Sequence, residues 1–219
     1  MSGFVPLDFH ERPLDEMRAR ARAMTELMAR RRSTRQFSSR PVPRDLMESA
    51  VKTAMTAPSG ANLQPWTFVV VQDADLKAKI REAAEQEEQK NYGHRMPDAW
   101  LEVLEPLGTD AVKEHITTAP YVVVLFRQTT RVDGRGERQP MYYSQESVGI
   151  AAGMFIAALH DMGLVTLTHT PSPMGFLGEI LGRPDTEKAY LLMPVGYPAP
   201  DATVPDIGRK ALDEVIVWK

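Results

Sequence analysis

Residues 121–126 read Tyr-Val-Val-Val-Leu-Phe, an uninterrupted apolar run of β-favouring residues that predicts a buried strand. Working outward, Trp66–Val71 (WTFVVV), bounded by Pro65 and Asp73, reads the same way. Residues 164–170 and 191–197 add a third and a fourth strand, and the alternating tail 214–218 a possible fifth. Between them the apolar spacing changes to three and four. Leu14, Met17, Ala21, Met24 and Met28 predict a helix over 13–32. A second helix over 44–56 stops at Ala57-Pro58-Ser59-Gly60, and a third, increasingly polar, covers 75–92. Residues 93–108, broken by Pro97 and Pro106, read as a mobile excursion, and Thr109-Asp110 as the cap of a short helix carrying Lys113. A polar loop of hairpin type follows at 131–139. Residues 144–162 form a helix rich in Gly and Ala, expected at the centre or at an interface, and 176–181 a last one ended by Gly182 and Pro184. Strands alternating with helices, without repeats or composition breaks, indicate one α and β domain over 1–219 around a single sheet.

Composition removes several function classes. With 26 Lys+Arg against 29 Asp+Glu the net charge is -3, and no basic block suggests nucleic acid. There is no cysteine, which excludes disulfides, thiolate catalysis and Cys-ligated metal. Five histidines without an HExxH pair give no metal site. Apolar runs fall far short of the roughly 20 residues of a membrane span. The acidic N-terminus lacks a signal-peptide core, so a soluble, cytoplasmic chain is expected. Ser59 lacks the glycine two residues before it that a nucleophile elbow needs. Gly134-Arg135-Gly136 lacks the third glycine of a dinucleotide fingerprint, and no Walker A pattern occurs.

Four features remain. Arg31-Arg32-Ser33-Thr34-Arg35 gathers guanidinium forks and hydroxyls that can hold a phosphate, or simply arginines that complement a helix dipole. Pro58-Ser59-Gly60-Ala61-Asn62 can expose backbone N–H groups to an anion or a ring edge, or be an ordinary turn. Glu88 and Tyr92 share a helix face, with Lys113 across the proline-broken stretch. These three match the two charges of an α-amino acid, or form a solvated charge run. Thr168-His169-Thr170 at a strand end offers hydroxyls to a ligand, or is good strand sequence.

The order RRSTR, APSGANLQPW, EQKNY, Lys113, YYSQES, GLVTLTHTP, LLMPVGYP and VPDIGRK resembles the iodotyrosine deiodinases of the FMN-dependent nitroreductase superfamily, from about His10 to the end. RRS-x-R and PSGxNxQPW are superfamily-wide, whereas Glu88, Tyr92 and Lys113 are what separate deiodinases from other nitroreductases. The resemblance implies an α+β nitroreductase-like fold with a central mixed sheet flanked by helices. It also implies an intertwined homodimer with the C-terminal extension over the partner and two FMN sites. Arg31, Arg32, Ser33, Arg35, Pro58, Ser59, Gly60, Thr168, His169, Thr170 and Arg209 would contact FMN, with Thr170 the better candidate for flavin N5. Glu88, Tyr92 and Lys113 would hold the halotyrosine zwitterion and draw residues 93–112 over it as a lid. The Ala61 N–H, with a ribityl hydroxyl, would stabilise the phenolate. The implied reaction is reductive dehalogenation, fed by an electron donor that no motif identifies.

His169 stands where animal members carry a third threonine, and the loop after Pro171 is the chain's own. A soluble homologue, without the membrane anchor of the vertebrate forms, is expected. Two other readings share the cofactor site: a broad-range FMN nitroreductase, and a non-catalytic flavin-binding protein.

Overall fold

The run at 121–126 lies inside the sheet. In the structure, a computed structural model that describes residues 3–219, it belongs to a four-stranded antiparallel sheet. The strands are β1 (Trp66–Val71), β2 (Tyr121–Gln128), β5 (Val165–Thr166) and β6 (Glu187–Gly196), in the order β1-β2-β6-β5. Successive side chains of β2 point to opposite faces, and both faces are dry. Tyr121, Val123 and Leu125 pack with residues of α2 (Arg44–Met55) and α6 (Ser144–Asp161). Val122, Val124 and Phe126 face Ile80 and Ala84 of α3 (Ala74–Lys90) and Leu177 of α7 (Gly175–Ile180). These six of the eight β2 residues are at most 2% exposed, so one strand supplies two cores.

The chain divides into an N-terminal unit ending at Arg31 and a unit spanning Arg32–Lys219. The first contains α1 (Leu14–Ala29), which begins after Pro13 and buries none of its residues. In the second unit α6 turns Val148, Ala151, Ala152, Phe155 and Leu159 to the core, while Ile150 and Gly153 stay exposed.

Several expectations are corrected. Residues 98–104 form α4 (Asp98–Leu104) and continue into a 3-10 turn, Glu105–Leu107, so the stretch is folded rather than irregular. Lys113 lies before α5 (His115–Thr118) rather than within it, because the Asp110 carboxylate bonds the Val112 N–H and makes a turn of residues 110–112. The strand over 164–170 shortens to β5 and resumes only as a bridge from His169 to Leu192. The tail forms a 3-10 turn, Leu212–Glu214, and no fifth strand among the described residues. An alternating segment without a neighbouring strand cannot pair its backbone groups. The polar loop is a small hairpin of β3 (Thr130–Val132) and β4 (Arg138–Pro140). The mixed character of the central sheet reduces to one parallel bridge, Ser33 to Thr166.

Candidate active site

Glu88 is placed by the helical repeat of α3, where Ile80, Ala84 and Glu88 succeed one another at intervals of four on the buried face. The helix then widens into a single π-turn, Asn91–Arg95, of the kind that re-aims side chains near functional sites. The Asn91 side-chain amide anchors it by donating to the Ser172 carbonyl at 2.9 Å. Tyr92, half-buried, donates its hydroxyl to Thr109 Oγ1 at 3.4 Å. Lys113 reaches the same hydroxyl with Nζ at 3.4 Å, also donates to the Asp110 carbonyl, and lies 3.8 Å from Glu88 Oε1. Its ammonium is 5.6 Å from the centre of the Tyr92 ring.

The three residues singled out from sequence therefore converge, and two more join them. Thr109 links Tyr92 to Lys113, tying together the two ends of the excursion. His169 Nε2 sits 2.8 Å from Glu88 Oε1, and the His115 ring stands edge-on to His169 with centres 5.6 Å apart. Sequence reading used Thr109 only as a cap, and His115 carried no pattern signal.

The cluster is dry: Lys113 is 3% exposed and Glu88 6%. Burial draws the Lys113 ammonium below its ordinary pKa, against the pull of Glu88 and Asp110. Burial likewise pushes the Tyr92 phenol up. His115 is driven down to about 3, first by burial and then by its cationic and histidine neighbours. His169 is also lowered by burial, with the Glu88 bond opposing. Both rings are neutral near pH 7, so His169 carries its proton on Nε2 and donates it to Glu88. The buried acid–base pair of Glu88 and Lys113 is closed on itself, with His169 on the acid and Thr109 and the Asp110 carbonyl on the base. A molecule bearing one ammonium and one carboxylate can open it by giving each residue a partner of opposite charge.

The second group of predicted residues borders this cluster. The Thr34 N–H donates to the Thr166 carbonyl at 3.2 Å, which sets Arg32, Ser33 and Arg35 alongside β5 and leads the strand on to Thr168. Arg32 donates to the Pro205 carbonyl. Ser33 and Arg35 line a cavity of about 380 Å³ together with Pro106, Gly108 and Thr203. The charge of Arg35 is felt by Tyr92, Lys113, His115 and His169, so the cationic segment and the cluster are neighbours. Beyond β5 the strand alternates: Thr168 and Thr170 are exposed, whereas His169 is buried against Glu88.

Pro58 and Ser59 lead into a 3-10 turn, Gly60–Asn62. Ala61 (φ 49°), Asn62 (φ 54°) and Gln64 (φ 48°) all occupy the left-handed region. Such backbone costs about 1–3 kcal/mol per non-glycine residue and clusters where a ligand is held. Ser59 Oγ accepts from the Gln64 N–H at 3.0 Å and steadies the turn. A side chain at Gly60 would meet the Tyr142 carbonyl at 3.0 Å, so glycine is needed for that close approach. Arg31 closes the N-terminal unit, and Arg209 is exposed on the tail. No group of three or more potential metal ligands occurs among the described residues, and no helix is long and apolar enough to cross a membrane.

Comparison with known proteins agrees with this geometry. Residues 28–197 match the nitroreductase family. The iodotyrosine deiodinase of Haliscomenobacter hydrossis is 50% identical over 98% of this chain and 96% of its own. Iodotyrosine deiodinase 1 of Homo sapiens is 44% identical over 97% of this chain and 74% of its own. A crystal structure of oxidized iodotyrosine deiodinase bound to FMN and 3-iodo-L-tyrosine superposes with a TM-score of 0.77 at 27% identity, covering 89% of this chain and all of that one (100%). Likeness of this depth over nearly the full length makes the chain a member of the nitroreductase family, in its iodotyrosine deiodinase branch.

Proposed function

We propose that this protein is an FMN-dependent reductive dehalogenase of halotyrosines. The observation that carries the reading is the buried meeting of Glu88, Tyr92 and Lys113, a receptor for both charges of an α-amino acid. Glu88 takes the ammonium, Lys113 the carboxylate, and the Tyr92 hydroxyl a place at the carboxylate edge. Each charged hydrogen bond contributes about 1.5–3 kcal/mol, replacing the internal ion pair of Glu88 and Lys113. Because Tyr92 and Thr109 join the ends of residues 93–108, filling the cluster also orders the segment that excludes water from the ring.

The donor set suits flavin mononucleotide. Its phosphate calls for guanidinium forks and a hydroxyl, which Arg32, Ser33 and Arg35 present along one segment. In this reading Ser59 and Arg209 join them around the cofactor, and Thr168 and Thr170 face it from the open side of their strand. Reduced FMN supplies two electrons that, with one proton, convert the carbon–halogen bond to carbon–hydrogen and release halide. The protein holds the ring in place, and the Ala61 N–H favours the phenolate by donating to it. Catalysis here is positioning: a bound head group fixes where the halogenated carbon lies.

The unit is expected to be a homodimer. Leu14, Met17 and Met24 of α1, Ile150 of α6, and Leu212, Val215, Val217 and Trp218 of the tail are 45–86% exposed, apolar side chains of the kind a partner chain would cover.

The test is to incubate the FMN-loaded protein with dithionite and 3-iodo-L-tyrosine under anaerobic conditions and to measure iodide and tyrosine. Equal yields of the two support the reading. Reduction of nitroaromatics without iodide release would make it a general nitroreductase instead, and flavin binding without either turnover a storage protein.

A further inference from the structure

We propose that His169 is a positioning residue for amino-acid recognition: its ring fixes the Glu88 carboxylate so that the oxygen it leaves unengaged meets the ligand's ammonium. The inference rests on the halotyrosine reading above and deepens it.

His169 is held at both levels. Its backbone exchanges two hydrogen bonds with Leu192, each 2.9 Å, which locks the residue to β6. Its ring is 8% exposed and bonds Glu88 Oε1 at 2.8 Å. Lys113 also approaches Oε1, at 3.8 Å, so both internal contacts fall on the same oxygen and Oε2 is left to the ligand. Neighbouring Thr168 and Thr170 turn the opposite way, which separates the histidine from the open face of the strand. No other side chain donates to the Glu88 carboxylate within hydrogen-bond distance among the described residues.

The charged and titratable groups around the ring are Glu88 from α3, Lys113 from the turn before α5, His115 from α5, and Arg35 from the segment beside β5. His169 Nδ1 has no partner and is buried, so a second proton there would enter a site already holding Lys113 and Arg35. Once protonated, the ring becomes a fixed cation on Glu88 and competes with the ligand's ammonium. Binding therefore weakens as pH falls through the pKa of His169, and by reciprocity the bound ammonium opposes that protonation. A ligand lacking the ammonium feels none of this competition.

The test compares 3-iodo-L-tyrosine with 3-(4-hydroxy-3-iodophenyl)propionate, which lacks the amino group, by flavin-fluorescence titration of the holoenzyme. The ratio of the two dissociation constants cancels titration of the phenol and of the flavin. In His169→Thr, whose hydroxyl on Cβ is too short to reach Glu88, the ratio should shift about tenfold against iodotyrosine at neutral pH, the scale of one charge-assisted hydrogen bond. His169→Gln places an amide near the same position but does not titrate. It should keep the neutral-pH ratio and lose the weakening that the unaltered protein shows as the pH is taken down below the ordinary histidine value of 6.5. FMN content and thermal melts show that each variant is folded, and His169→Gln alone suffices if His169→Thr fails to hold FMN. Equal losses for both ligands, or an acid dependence of the ratio that persists in His169→Gln, would overturn the inference while leaving the dehalogenase reading intact. Failure of the unaltered holoenzyme to bind iodotyrosine would instead overturn that reading, and the inference with it.

Discussion

Glu88 is the residue on which the proposed recognition turns, because it is both a buried charge and the meeting point of Lys113 and His169. Glu88→Gln keeps the shape and removes the charge. It should weaken halotyrosine binding by about 1.5–3 kcal/mol while FMN remains bound, as read in a flavin-fluorescence titration. An unchanged affinity would mean that the ammonium is held elsewhere. His115 carries a different consequence. The unfolded chain takes up a proton at the ordinary value of 6.5, which the folded chain resists down to about 3. Stability is thus full above that ordinary value and declines as the pH drops across the window, at roughly 1.4 kcal/mol per pH unit. His169, lowered for the same reason, adds in the same direction. Melting curves at about pH 7 and about pH 5 should show the loss, and His115→Phe should flatten it. An equally steep fall in that variant would place the sensitivity in other groups.

At the scale of elements, the turn at Gly60–Asn62 stores backbone strain. Ala61→Gly removes a left-handed alanine but adds chain entropy to the unfolded state. It should raise stability by about 1 kcal/mol or less and leave the N–H in place. Thr109 is the joint of the excursion. Thr109→Val deprives both Tyr92 and Lys113 of an acceptor, and iodotyrosine affinity should fall about three- to tenfold. An unaltered titration would show that the ends of the excursion are held by other contacts.

These elements also show where sequence suffices. The β1 run WTFVVV was legible to the residue, because aromatic and β-branched residues run unbroken between Pro65 and Gln72, although only Trp66 and Val71 are fully buried. The extension of β2 through Gln128, and the start of β6 at Glu187, were not. Glu187 is buried by two bonds from Arg183 and one from Thr67, a polar satisfaction that apolar patterning cannot register. The triad at Glu88, Tyr92 and Lys113 was visible through its motif, whereas His169 was read as an FMN contact and as a departure from a threonine, not as a partner of Glu88. Its contact spans 81 positions of the chain, and no local period encodes that.

For the whole molecule, the proposed homodimer would cover apolar residues left exposed on α1, on α6 and on the tail. Sedimentation of the FMN-loaded protein should give the mass of two 24.5 kDa chains. Removing residues 198–219 should shift it towards one chain and weaken FMN retention, because the tail carries both apolar surface and Arg209. A full-length protein that stays monomeric while holding FMN tightly would remove the partner from the account.

The proposed reading makes the site a zwitterion receptor set beside a flavin cradle, and a crystal structure of the holoenzyme soaked with 3-iodo-L-tyrosine tests that most directly. The expected density places the ammonium on Glu88 Oε2, the carboxylate on Lys113 and Tyr92, and the iodinated ring flat against the isoalloxazine. Density with the amino acid turned to solvent, and Glu88 still closed on Lys113, would contradict it.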